Sequence, residues 1–81
     1  MSTAKKLFES MQKNPLDWRM EQLLTVARQY GFEVRSNGGS HHVFSHSALV
    51  ETLSIPARKP IKPLYIKHLC ALIEQIKEQS P

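Results

Sequence analysis

The fold is decided by the stretch Gly38-Gly39-Ser40-His41-His42-Val43-Phe44, in which a glycine turn leads directly into a strand with two consecutive histidines. Adjacent glycines permit the backbone angles of a tight turn, and a β-branched residue followed by an aromatic one is typical of a strand. Side chains alternate between the two faces of a strand. With Phe44 in the core, His42 points inward beside it and His41 points to the opposite face.

Two helices are predicted before this turn. Residues 3–13 and residues 15–30 both carry apolar side chains at helical spacing, with charged residues between them. Asn14 suits the N-cap of the second helix, Pro15 suits its first position, and Gly31 suits its C-terminal stop.

Three strands and a third helix complete the predicted domain. The strands are expected at residues 32–35, 41–46 and 49–55, and connections this short require an antiparallel meander. Residues 63–78 form another amphipathic helix, with Pro63 at its start. The order α-α-β-β-β-α predicts a single α+β domain over residues 1–81, with a three-stranded sheet and its helices on one face.

Composition limits the classes of protein to which the chain can belong. Its 81 residues have a formal net charge of +4 and are 41% hydrophobic, which indicates one small globular domain that favours an anionic partner. No apolar run approaches the ~20 residues of a membrane helix, and the N-terminal segment has no signal-peptide core. The single cysteine, Cys70, is expected to be a reduced core residue. These features predict a cytoplasmic protein with no membrane partner.

Basic residues gather where the last helix begins. Arg58, Lys59, Lys62 and Lys67 fall within a short segment around that point. Cations beside the backbone amides of a helix N-terminus suit the phosphates of RNA. The alternative is that these side chains only form a solvated face.

The histidines are the candidates for chemistry. An imidazole exchanges its proton near neutral pH, and an outward His41 beside the turn amides of Gly39 and Ser40 suits a phosphodiester. Alternatively, His41, His42 and His46 are ordinary surface and half-buried residues of a hairpin. No cysteine or carboxylate stands at a standard zinc spacing from them, so neither a metal site nor a cofactor is predicted.

The stretch Gly39-Ser40-His41-His42-Val43-Phe44 also resembles the HicA family of toxins, since a helix ending at Gly31-Phe32 precedes it and a strand ending at Ser54-Ile55-Pro56 follows it. The resemblance covers residues 19–77. It implies a fold similar to a double-stranded-RNA-binding domain and the activity of an mRNA interferase, a metal-independent endoribonuclease that hydrolyses RNA phosphodiester bonds. It further implies mRNA as substrate and a HicB-like antitoxin as partner, with any oligomer formed through the antitoxin complex.

By this resemblance, His41 is the catalytic histidine, and His42 is a second candidate because some members keep the histidine one place later. The family usually carries another histidine after the proline of the third strand, where this chain has Ala57-Arg58. That difference motivates an alternative from another class of protein. On the same fold, the chain would be a non-catalytic module that binds RNA or a partner protein.

Overall fold

A computed structural model describes residues 3–36, 39–57 and 61–79. Within these ranges lie the helices α1 (Thr3–Lys13), α2 (Met20–Gln29) and α3 (Pro63–Gln79), and the strands β1 (Glu33–Ser36), β2 (His41–Ser45) and β3 (Leu53–Pro56). The strands form one antiparallel sheet in the order β1-β2-β3. The predicted α+β fold with the order α-α-β-β-β-α is therefore confirmed.

The register of the central strand sorts the side chains into two faces. Phe44 lies between Val34 of β1 and Leu53 of β3, and both Phe44 and Leu53 are buried in the same cluster as the apolar residues of the helices. The opposite face, here called the open face, carries Arg35 and Ser54 on either side of Val43, and both are exposed. The helices thus cover one face of the sheet, and this position of Phe44 agrees with the sequence prediction.

Helix α1 is an integral part of the core. It packs against both α2 and α3, whereas α2 contacts β1 and α3 contacts β3. Its apolar stripe buries Ala4, Phe8 and Met11. The Phe8 ring meets Tyr30 edge-on at 5.5 Å between centroids, and the Nζ of Lys77 lies 5.1 Å from the centre of the Phe8 ring. Both contacts tie α1 to the elements that follow it.

Helix α2 begins at Met20 and not at Pro15 as the sequence predicted. The carbonyl oxygen of the Asn14 side chain accepts a hydrogen bond from the Leu16 amide at 3.2 Å, which is an Asx turn and not a helix cap. Asp17 then adopts a φ of 63°, and Trp18 pairs with Ile61 as an isolated antiparallel bridge. A left-handed residue and a strand-like pairing interrupt the helical path, so the helix starts only after them.

Gly31 ends α2 as predicted. Its φ is 86°, a left-handed value that glycine adopts without the steric penalty of a side chain. The Gly31 amide donates to the Arg28 carbonyl at 3.1 Å and the Phe32 amide donates to the Ala27 carbonyl at 3.0 Å. This pair of bonds is a Schellman motif, which satisfies carbonyls at the helix end.

Strand β3 begins at Leu53 and not at Leu49. The chain after β2 folds into a turn, in which the Leu49 amide donates to the His46 carbonyl at 3.0 Å and the Ala48 amide donates to Nδ1 of His46 at 2.9 Å. Amides used in a turn are not available to a sheet, which removes Leu49 from the ladder. The other predicted boundaries of α1, α3, β1 and β2 differ from the observed ones by at most one residue at an end.

None of the helices in the described part of the chain has both the length and the apolar character that crossing a membrane requires.

Candidate nucleic-acid interface

His41 is the first residue of β2 and lies on the open face. It pairs with Pro56 of β3, and two residues further along the strand Val43 pairs with both Arg35 and Ser54. Alternation places His41 on the same side as Val43. The His41 side chain is exposed, as are Arg35 and Ser54. The predicted outward orientation of this histidine is therefore confirmed.

Ser40, the residue before His41, makes contacts through both its backbone carbonyl and its hydroxyl. Its carbonyl accepts a hydrogen bond from the Ala57 amide, which extends the β2–β3 pairing past Pro56. Its hydroxyl lies 3.5 Å from Nδ1 of His41, at the outer limit of a hydrogen bond. Gly39 is exposed beside it. The backbone before His41 is thus fixed by the sheet, and a hydroxyl stands next to one nitrogen of the ring.

His42 has the opposite environment. It pairs with Ser36 and Ile55 on the covered face of the sheet, and its side chain is half-buried. Within the described residues, its Nδ1 atom is buried and has no hydrogen-bond partner. The structure therefore separates the two candidate histidines, with His41 facing solvent and His42 facing the core.

His46 has a structural role that the sequence did not reveal. Because the Ala48 amide donates to Nδ1, the ring proton must sit on Nε2, which donates to the Tyr30 carbonyl at 2.9 Å. The ring also packs edge-on against Phe32 at 5.3 Å between centroids. Both nitrogens are occupied, so this histidine joins the end of α2 to the turn after β2 and has no nitrogen left for substrate.

Two of the predicted basic residues, Lys62 and Lys67, lie in the described part of the chain, and their surroundings differ. Lys62 is exposed between Ile61, which pairs with Trp18, and the start of α3. Lys67 lies further along α3, where it lines a groove against the C-terminal end of α1 and is not on the open face. The predicted RNA-binding residues Arg58 and Lys59 lie outside the described residues.

The groove between α1 and α3 encloses about 550 Å³. The Gln12 side-chain amide donates to the Glu74 carboxylate across it at 2.9 Å. Cys70 lies against this groove and is only 7% exposed. Burial, and secondly the negative charge of Glu74, raises the pKa of the Cys70 thiol to about 11. The prediction that Cys70 is a core residue is confirmed by its burial.

Metal ligands are not gathered anywhere in the described residues, since no group of three or more histidine, cysteine or carboxylate side chains is placed to hold an ion. His68 on α3 lies 3.8 Å from the Glu51 carboxylate, and both side chains are substantially exposed. An isolated contact of this kind links α3 to the turn before β3.

Comparisons of the chain with protein-family models, with curated proteins and with solved structures each found no match.

Proposed function

We propose that this chain is a metal-independent endoribonuclease of the HicA toxin type, which cleaves mRNA with His41 as its proton-transfer residue. The observation that carries the proposal is the position of His41. It is the histidine of β2 that projects from the open face, directly after Gly39 and Ser40. His42 faces the core and His46 uses both of its nitrogens in the fold. The imidazole that the family resemblance selects is thus also the one that RNA can reach.

The chemistry requires a base, an acid and stabilisation of charge. A base removes the proton from a ribose 2′-hydroxyl, its oxygen attacks the adjacent phosphorus, and the bond to the 5′-oxygen breaks as that oxygen receives a proton. The products are a 2′,3′-cyclic phosphate and a 5′-hydroxyl. His41 suits the first proton transfer, because histidine is the side chain that most often acts as a general base in enzymes. The Ser40 hydroxyl beside Nδ1 would orient the ring and leave Nε2 to face the substrate.

The element order supports a fold of the double-stranded-RNA-binding type, extended by α1 at the N-terminal side. In such domains, RNA is recognised largely by its shape and its phosphates. Lys62 immediately precedes α3. In this proposal it contacts a phosphate that the free backbone amides of the first helical turn also bind. The proposal further includes a cytoplasmic location and a HicB-like antitoxin that restrains the toxin, with oligomers formed only through that complex.

The test is cleavage of a defined mRNA in excess chelator by the wild type and by His41→Ala. Because His41 is exposed, the variant should keep its fold, which circular dichroism and thermal unfolding would verify. We expect cleavage by the wild type alone, with cyclic phosphate at the new 3′ ends. Equal cleavage by a folded His41→Ala variant would contradict the assignment of His41.

The non-catalytic alternative predicts a different pattern. If neither protein cleaves RNA, and RNA is retained by both but lost on Lys59→Ala and Lys62→Ala, the chain is a binding module. The absence of both cleavage and retention would contradict any RNA function.

A further inference from the structure

We infer that Arg35 is a phosphate-binding cation of the open face, and that it exchanges its ion pair with Glu33 for a phosphate of the RNA beside His41. This inference rests on the proposed function, which it deepens by identifying a residue that holds the substrate. It concerns β1, which lies on the other side of the central strand from β3, the strand that α3 contacts.

The sheet register brings Arg35 towards His41. Arg35 lies directly across from Val43, and His41 is two positions before Val43 on the same face. Such diagonal neighbours in an antiparallel pair have their Cα atoms ~7–8 Å apart, which is within the span of a long side chain. A phosphate over Val43 would therefore lie within reach of the guanidinium on one side and of the imidazole on the other.

The present partner of Arg35 holds it weakly. The guanidinium lies 3.3 Å from the Glu33 carboxylate, with 78% of the Arg35 side chain and 67% of the Glu33 side chain exposed. Exposed pairs of this kind contribute little to stability, because water screens them and two long side chains lose their freedom. The ion pair with Glu33 keeps the guanidinium on the open face. Breaking this ion pair, so that the guanidinium can bind a phosphate, costs little free energy.

A guanidinium suits the chemistry expected beside His41. Its planar set of N–H donors can bind two phosphate oxygens at once, and its charge persists throughout the pH range in which an imidazole titrates. The in-line attack concentrates negative charge on the oxygens of phosphorus. Ser54, across from Val43 on the other side, adds an exposed hydroxyl to the same surface. The open face thus supplies a cation, a hydroxyl and an imidazole within two rows of residues.

The experiment compares Arg35→Gln with Arg28→Gln. Arg28 is an exposed arginine in the last turn of α2, in the helical layer, so its replacement removes the same charge from the other side of the sheet. The ligand is a single-stranded oligonucleotide with 2′-O-methyl riboses, which cannot be cleaved by the proposed reaction. We expect Arg35→Gln to weaken its binding about tenfold and to flatten the salt dependence by about one phosphate contact. Arg28→Gln should change binding by less than about twofold.

Two further variants test how the Arg35 guanidinium holds the phosphate and whether Glu33 competes with it. Arg35→Lys keeps the charge but loses the paired donors, so its affinity should fall between those of the wild type and Arg35→Gln. Glu33→Gln removes the competing carboxylate, so it should strengthen binding. Weakened binding in Glu33→Gln would overturn the proposed exchange of partners.

The outcomes separate this inference from the proposed function. If the wild type cleaves natural RNA, but Arg35→Gln binds the methylated strand as Arg28→Gln does, the role of Arg35 is overturned and the nuclease proposal stands. If the wild type neither binds nor cleaves RNA, both are overturned. A loss of affinity confined to Arg35→Gln, in a variant with unchanged thermal unfolding, supports the inference.

Discussion

The two consecutive histidines of β2 differ in environment because successive side chains of a strand point to opposite faces of the sheet. This difference was predictable from the sequence, since alternation and the position of Phe44 suffice to assign it. The role of His46 was not predictable in the same way. Its hydrogen bond to the Tyr30 carbonyl joins residues that meet only after the sheet has packed against α2. The position of Arg35 relative to His41 was not predictable either, because it depends on the register of β1 against β2.

Replacing His42 tests both its environment and its candidacy as the catalytic residue. The buried Nδ1 has no partner in the described structure, so His42→Leu removes an unsatisfied polar atom from the covered face. We expect the free energy of unfolding to stay unchanged or to rise by up to about 1 kcal/mol, because the desolvation cost disappears. Urea denaturation measures the change, and cleavage should be retained.

His41→Leu is the matched control for this replacement, since the same change on the open face exposes a leucine and should bring no gain in stability. Two results would contradict the expectation for His42. A loss of more than about 1 kcal/mol would show that Nδ1 makes a stabilising bond. Loss of cleavage in a folded His42→Leu protein would make His42 the catalytic histidine.

The elements themselves were predicted in type and order, because helical and strand periodicities are local properties of the sequence. Two boundaries were wrong for reasons that are not local. The start of α2 depends on the pairing of Trp18 with Ile61, and the start of β3 depends on the turn closed by the His46 side chain. A prediction from local propensity alone therefore made α2 and β3 too long, because it included residues that form these other contacts.

Helix α1 can be tested as a part of the core. Phe8 is 1% exposed and packs against Tyr30 and Lys77, so Phe8→Ala should create a cavity that lowers the free energy of unfolding by about 3–5 kcal/mol. Because small domains have only ~5–15 kcal/mol in total, the variant should unfold at a much lower temperature. Thermal unfolding followed by circular dichroism measures the loss.

Glu9→Ala is the control on the same helix, because Glu9 is exposed and its replacement should change stability by less than about 0.5 kcal/mol. Similar melting temperatures for the two variants would show that α1 is an appendage that the domain does not need.

At the scale of the whole molecule, the rate at which the Cys70 thiol is labelled measures how readily α1 and α3 separate. The raised pKa of its thiol favours the protonated form, which is a poor nucleophile, and burial restricts access to it. We expect iodoacetamide to label native protein near neutral pH far more slowly than urea-unfolded protein. Mass spectrometry of timed samples measures both rates.

The pH dependence of stability follows from the same thiol. Its folded-state pKa of about 11 exceeds the unfolded value of 9.0, so the folded state retains the proton longer. The stabilisation is complete below pH 9 and is lost as the pH rises towards about 11. Comparison with Cys70→Ala isolates this contribution from those of lysine and tyrosine.

Rapid labelling of native protein by iodoacetamide would contradict the expected slow reaction of Cys70. It would show that α1 separates from α3 without global unfolding.

The bridge between Trp18 and Ile61 also has a consequence for folding kinetics. The Ile61 amide donates to the Trp18 carbonyl at 2.9 Å, and the chain between these residues contains α2 and all of the described strands. Closing so long a loop costs more chain entropy than forming a helical turn or a hairpin. A refolding chain gains this bond most readily after the meander has shortened the path between the two segments. We therefore expect the bridge between Trp18 and Ile61 to form late in refolding, after the sheet.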